Sequence, residues 1–265
     1  MLWRLLRRND LGKYGEEGCW AIVEFDTANE AVSQSIASEL LQKEFNVLLV
    51  GKNLEHVQKP LAAAHAHKRI AVLSNGHLES DERSAIFTKS LGSMAAKATI
   101  VIIPAADPAC TSRKLNAENT IEPNSTLLLL RTILPSLRKD RPIAIAIVGG
   151  PLSFYSDEHV LRNDYYEAFT NTLLQEMRDL KLENVEFLYS DCHSSSSADE
   201  GQARSGTWMN PSPESYAKSV LQSVGCGHAQ VVAYWPHEFL AWVLWILLLV
   251  LPRGTLQSLG RRIGL

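Results

Sequence analysis

The residues most able to do chemistry lie in small groups along the chain. Asp191, His193 and the run Ser194–Ser197 hold the parts of a nucleophile, a base and an orienting carboxylate. Such a set works when separate elements of a rigid scaffold bring the three together. Here they are near neighbours within Asp191–Ser197, at the start of a polar stretch that runs from His193 to Thr207, so no triad is expected. That stretch is also long for a loop within a compact domain. His65 and His67 are the closest histidine pair, but two residues apart on a helix they face different directions, and no metal site is expected there. Cys19, Cys110, Cys192 and Cys226 are widely separated and form no Cys-x-x-Cys pair. A zinc ribbon, a redox pair and a dense disulfide framework are thereby excluded, and the thiols are expected to pack as small hydrophobes.

Composition narrows the class. The chain has 265 residues, 46% hydrophobic and 21% charged, which suits one large domain or two small ones and excludes a fibrous or disordered protein. A globule of this length buries enough surface to fold without disulfides or metal. Its 26 basic and 29 acidic residues give a net charge of -3. No basic domain or stripe marks it as a nucleic-acid protein.

The elements that must position any site follow from the apolar pattern. Trp20–Phe25, Asn46–Gly51, Ala98–Pro104, Ile143–Gly150 and Val185–Ser190 are short apolar runs rich in β-formers. Ala31–Lys43, Ser125–Leu137 and Tyr165–Leu180 read as helices. Strand runs without polar alternation, separated by helices, predict a parallel sheet covered on both faces. The first two strands and their helix have the spacing of a right-handed βαβ unit.

The two ends differ from this body. The N-terminus, MLWRLLRRND, alternates Arg4, Arg7 and Arg8 with Leu2, Trp3, Leu5 and Leu6. Three roles are open to it: a helix on a membrane surface, part of a mitochondrial targeting signal, or a solvated helix. Near the other end, Phe239–Leu251 is an unbroken apolar run of 13 residues, short of the ~20 that span a bilayer. Trp235, Trp242 and Trp245 punctuate this region, and Arg253, Arg261 and Arg262 follow it. A half-buried membrane anchor, a protein interface and a core helix compete. Membrane or partner contact is favoured, because a helix apolar on all sides is rarely left facing water. The contact residues expected are Trp235, Phe239, Trp242, Trp245 and Leu249.

Three segments give the chain a family likeness. They are LGKYGEEGCWAIV (Leu11–Val23), SIASELLQKEFNVLLVGKN (Ser35–Asn53) and PSPESYAKSVLQSVG (Pro211–Gly225), the last followed by AYWPHEFLAWVLWILLLVLP. Together they resemble short-chain dehydrogenases/reductases, and more narrowly the very-long-chain 3-ketoacyl-CoA reductase and 17β-hydroxysteroid dehydrogenase branch. The resemblance covers about residues 12–262. It implies an α/β fold, a doubly wound Rossmann-like parallel sheet, with a C-terminal apolar helical extension. The organisation it implies is a basic amphipathic arm over 1–13, a dehydrogenase-like domain over 14–230 and an apolar contact segment over 231–265.

The family's chemistry does not carry over. Its phosphate-binding turn is a threonine-glycine followed by a glycine-x-glycine, whose glycines let the backbone approach a diphosphate at a helix N-terminus. Counted without gaps, those positions are Asp26 and Thr27, then Ala31 and Ser33. The family's reader of the adenosine 2′-phosphate corresponds to Lys52, and its asparagine-rich turn after the fourth strand to Ile103, Pro104, Ala105 and Ala106. Of the serine, tyrosine and lysine that catalyse, the tyrosine falls on Asn163 and the lysine on Glu167, with Gly150 standing 13 residues before Asn163 in place of the serine. Asn163 cannot act as the general acid, and Glu167 reverses the assisting charge. Tyr165 and Tyr166 lie close, but Phe169 and Thr170 occupy the positions four residues on, where a lysine would belong.

The resemblance therefore implies a degenerate dehydrogenase fold with no catalytic set, no metal, and Lys52 as its one weak cofactor contact. The expected role is a structural or accessory subunit of a membrane-associated assembly. A mitochondrial respiratory complex at the inner membrane is slightly favoured over the endoplasmic reticulum, where family members carry a spanning segment that does not precede this domain. Partners are then other subunits and membrane lipid, not nucleic acid. The alternative is an NADP(H)-dependent reductase of long-chain 3-ketoacyl-CoA or steroid carbonyls with a remodelled site.

Overall fold

The computed structural model describes residues 11–15, 18–25, 30–52, 54–65, 68–74, 81–104, 125–148, 171–191, 211–227 and 230–236, with 238, 239, 242, 243 and 246 beyond them. Seven strands form one sheet: β1 (Trp20–Phe25), β2 (Asn46–Gly51), β3 (Ile70–Ser74), β4 (Ala98–Pro104), β5 (Ile143–Val148), β6 (Val185–Asp191) and β7 (Gln230–Val232). Their order is β3-β2-β1-β4-β5-β6-β7, and every pairing is parallel. All residues of β4 and β5 are buried, as strands covered on both faces require.

The helices are α1 (Glu30–Gln42), α2 (Glu55–Ala64), α3 (Asp81–Ala95), α4 (Ser125–Ile133), α5 (171–179) and α6 (Pro213–Ser223). They divide between the two faces. Against one, Ile36 and Leu40 of α1, Val57 and Leu61 of α2, and Tyr216 and Val220 of α6 pack on Val23, Leu49, Ile102 and Ala146. Against the other, Leu91 of α3, Leu130 and Ile133 of α4, and Leu173 and Met177 of α5 pack on Ile22, Leu48, Val101 and Ile145. Alternate strand residues thus feed alternate cores, the period-two geometry of a strand buried on both sides.

The structure is the doubly wound Rossmann-like sheet expected. β1, β2 and β4 occupy the expected runs. The expected helix over Ser125–Leu137 is shorter: it ends at Ile133 and tightens into a 3-10 turn over Leu134–Ser136. Pro135 sits in that turn, and a proline has no N–H to continue the α-helical ladder. Of the apolar extension, no helix among the described residues is long and apolar enough to cross a membrane.

α6 is the most completely specified helix. Ser212 caps it, accepting from the Ser215 N–H at 3.3 Å, and Pro213 and Glu214 fill its first turn. These are the residue types that suit a helix start. The buried Tyr216 hydroxyl and Ser190 Oγ lie 3.2 Å apart, tying α6 to β6.

Candidate functional site

In an open parallel sheet, ligands bind beyond the carboxyl ends of the strands, where the winding reverses. Here that point lies between β1 and β4, and β1–α1–β2 forms one wall. Four residues, 26–29, join β1 to α1 and lie outside the described residues, so Asp26 and Thr27 do too.

The described part of this wall is rich in carboxylate. Glu24, one residue before the end of β1, is 4% exposed. Its position alternates with Val23 and Phe25, which puts it on the α3–α4 side with Ile22. Glu30 opens α1, and its Oε1 accepts a hydrogen bond from His56 Nε2 of α2 at 2.6 Å. A carboxylate in the first turn complements the positive end of the helix dipole. A diphosphate would need that same end.

The two α1 positions where the family carries glycine are described. Ala31 is exposed, and Ser33 is buried as the first member of the stripe Ser33, Ile36, Ala37, Leu40 and Leu41 that faces the sheet. A side chain thus fills the space where a glycine would bring helix and strand closer. These residues do not fit the usual seat of a dinucleotide diphosphate, since they add negative charge and bulk where backbone N–H groups should meet phosphate.

One feature of the wall is compatible with a nucleotide. Gly51 ends β2 opposite Phe25 of β1, so close that a β-carbon there would meet the Phe25 carbonyl oxygen at 2.8 Å. Lys52 follows at once and is exposed. It therefore stands beyond the carboxyl end of β2, beside the start of the β1–α1 connection. Across the switch point, Ile103 and Pro104 end β4 and are buried.

The remaining expected positions divide as follows. Ala105, Ala106, Gly150, Asn163, Glu167, Tyr165 and Tyr166 lie outside the described residues, as do His193, Ser194–Ser197, Trp245 and Leu249. Asp191 is the last residue of β6. His65 Nε2 lies 3.3 Å from Ser38 Oγ, and Cys19 and Cys226 are free thiols packed against the apolar core. No group of three metal-ligating side chains occurs among the described residues. Trp235, Phe239 and Trp242 are exposed at 53%, 43% and 58%.

Sequence reasoning passed over Glu24, Glu30 and His56. Glu24 had a signal, as the one charge inside the apolar run WAIVEF. The Glu30–His56 contact had none, because the two residues stand on different helices.

A second polar cluster lies at the opposite, amino ends of the strands. Glu186 of β6 accepts from the Tyr14 hydroxyl and from the Gly227 N–H (2.9 Å), and Lys13 Nζ approaches it at 3.9 Å. Nearby, Asn184 Nδ2 donates to the carbonyls of Arg138 (2.8 Å) and Arg141. Arg138 Nε donates to Asp140 Oδ1 at 2.7 Å. That bond holds the Asp140 carboxyl below its ordinary range, and both side chains are solvent-exposed. A groove of about 590 Å³ runs past these residues. It lies at the opposite end of the sheet from the winding reversal.

No family model matches the chain. A very-long-chain 3-oxoacyl-CoA reductase of Pyricularia oryzae is 24% identical over 98% of this chain and 80% of its own length. A protein of Danio rerio named inactive hydroxysteroid dehydrogenase-like protein 1 is 25% identical over 89% of this chain and 75% of its own length. The chain is similar in sequence to these dehydrogenase-like proteins, and it shares the fold of the short-chain dehydrogenases/reductases. Among solved structures, an NADPH-bound short-chain oxidoreductase of Pseudomonas aeruginosa with an atypical catalytic center superposes with a TM-score of 0.58 at 14% identity. It covers 81% of this chain and 95% of that one. The shared short-chain dehydrogenase/reductase fold thus extends over the sheet and its helices, while the β1–α1 wall carries carboxylates and side chains at the glycine positions.

Proposed function

We propose that this chain is a non-catalytic member of the short-chain dehydrogenase/reductase group, acting as a structural or accessory subunit of a membrane-associated assembly. The observation that carries this reading is the state of α1. Among the described residues the parallel sheet and the helices on both its faces are built, yet the N-terminus of α1 holds Glu30 bonded to His56 and a buried Ser33 where a diphosphate would be received. The relative named inactive supports the same reading. A fold alone confers no reaction, so a chain that keeps the sheet and changes the site is free to serve as a scaffold. We favour a mitochondrial respiratory complex at the inner membrane, because Arg4, Arg7 and Arg8 lie among leucines at the N-terminus and an apolar run stands at the other end. The endoplasmic reticulum is the alternative location. The test is migration after mild detergent extraction. The chain should travel in a complex far larger than its own 29.4 kDa. Migration as a free subunit would contradict the reading.

The second reading is an NADPH-dependent reductase with a remodelled site. Lys52 beyond β2 favours it, as do the reductase named among the relatives and the NADPH-bound structural neighbour. It expects turnover of a 3-ketoacyl-CoA or a steroid ketone that Tyr165→Phe together with Tyr166→Phe abolishes. Unchanged turnover would remove those tyrosines as the donor.

A further inference from the structure

Four large apolar side chains are strongly exposed among the described residues, namely Ile86, Trp235, Phe239 and Trp242. Three of them belong to one helical segment. Trp235, Pro236, Glu238, Phe239, Trp242, Val243 and Ile246 are helical, and the Glu238 N–H donates to the Tyr234 carbonyl at 3.2 Å. At 3.6 residues per turn, positions 235, 239 and 242 fall within an arc of about 60°. The segment is fastened to the domain beside them: Ala233 is buried in the core, Tyr234 packs against it, and Pro236 is buried. The aromatic stripe is therefore the outward face of an element whose base is fixed.

Charge indicates what covers this face. Residues 1–9 and 235–265 contain six arginines and one acid, Glu238. Between them lie the other 20 basic residues and the other 28 acidic ones. The body is acidic, and both ends are apolar and cationic. A protein partner needs a matched surface, whereas an anionic bilayer accepts this combination directly. Trp and Phe settle at the headgroup–acyl boundary, and arginines meet the lipid phosphates. The 13-residue run Phe239–Leu251 falls short of the length that spans a bilayer.

We infer that the Trp235–Phe239–Trp242 stripe docks this chain in-plane on an anionic lipid bilayer, with the terminal arginines as its electrostatic half. The inference deepens the membrane part of the proposed function and names lipid, not a protein subunit, as the occupant of this face.

The test uses the full chain and vesicles of phosphatidylcholine with 30% phosphatidylserine. Binding should weaken about tenfold or more on phosphatidylcholine alone, because each arginine near the surface adds attraction. The variant Trp235→Glu/Phe239→Glu/Trp242→Glu should lose about 100-fold or more in partitioning, with an unchanged far-ultraviolet dichroism spectrum. Brominated lipid should quench tryptophan emission, and Trp242→Phe should reduce that quenching without releasing the protein. Wild-type affinity in the folded triple variant would overturn the inference. So would absence of vesicle binding, or binding with no quenching assigned to Trp242. Stripe residues that crosslink to a protein in native membranes without lipid quenching would also overturn it. Failure here with intact co-migration in a large complex would leave the accessory-subunit reading standing. Vesicle binding by a chain that migrates alone would remove that reading and keep this one.

Discussion

The two ends of the sheet have been treated differently. At the amino ends, polar side chains are matched one to another across long stretches of sequence. Glu186 gathers Tyr14, Lys13 and Gly227; Asn184 holds the approach to β5; Asn46 donates to the Gly18 carbonyl and accepts from the Arg69 N–H. At the carboxyl ends, Ala31 and Ser33 stand in the first turns of α1, and acids stand at Glu24 and Glu30. The contrast teaches that what closes the fold and what binds the nucleotide are separable. Either end can change while the other keeps its chemistry, because the two are a full strand length apart and share only the apolar core.

The comparison can be broken in order of effect. Tyr14→Ala removes a fully buried ring and the Glu186 donor together, and should cost about 3–5 kcal/mol in a urea titration. Glu186→Ala keeps the ring but removes the carboxylate that accepts from the Tyr14 hydroxyl and the Gly227 N–H, and should cost about 2 kcal/mol. A loss below about 0.5 kcal/mol for both would show that the amino-end cluster is ornamental. Thr99→Val sharpens the point from the other direction. The Thr99 hydroxyl is buried without a hydrogen-bond partner among the described residues, so the variant should gain about 1 kcal/mol by the same assay. Lys52→Ala, at the carboxyl end, should leave the urea midpoint within about 0.5 kcal/mol of wild type, because an exposed lysine beyond a strand supports no packing.

How much of this was legible in the sequence depended on the kind of signal. Fully buried strands announce themselves as continuous apolar runs, and β1, β2 and β4 lie where those runs lie. β3 and β7 carry only short runs, Ile70–Leu73 and Val231–Ala233, which went unread as strands. They are the two edge strands of the sheet, and β3 is only half-buried. α2 was hidden by Pro60, which reads as a breaker but sits inside Glu55–Ala64. α3 was hidden by Gly92 and by a sequence with little amphipathic contrast. At the candidate site, counting along α1 places Ala31 and Ser33 where the resembled family carries glycines. The Glu30–His56 bond and the Glu186 cluster were not legible, since each joins residues that only the tertiary fold brings together.

The most direct test of the account is a calorimetric titration of the purified chain with NADPH and with NADH, read in parallel by tryptophan quenching. An α1 N-terminus already holding its own carboxylate should take up neither nucleotide up to about 1 mM. A stoichiometric heat with a dissociation constant near about 1 μM would contradict the account and make the carboxyl ends of the strands a working nucleotide site.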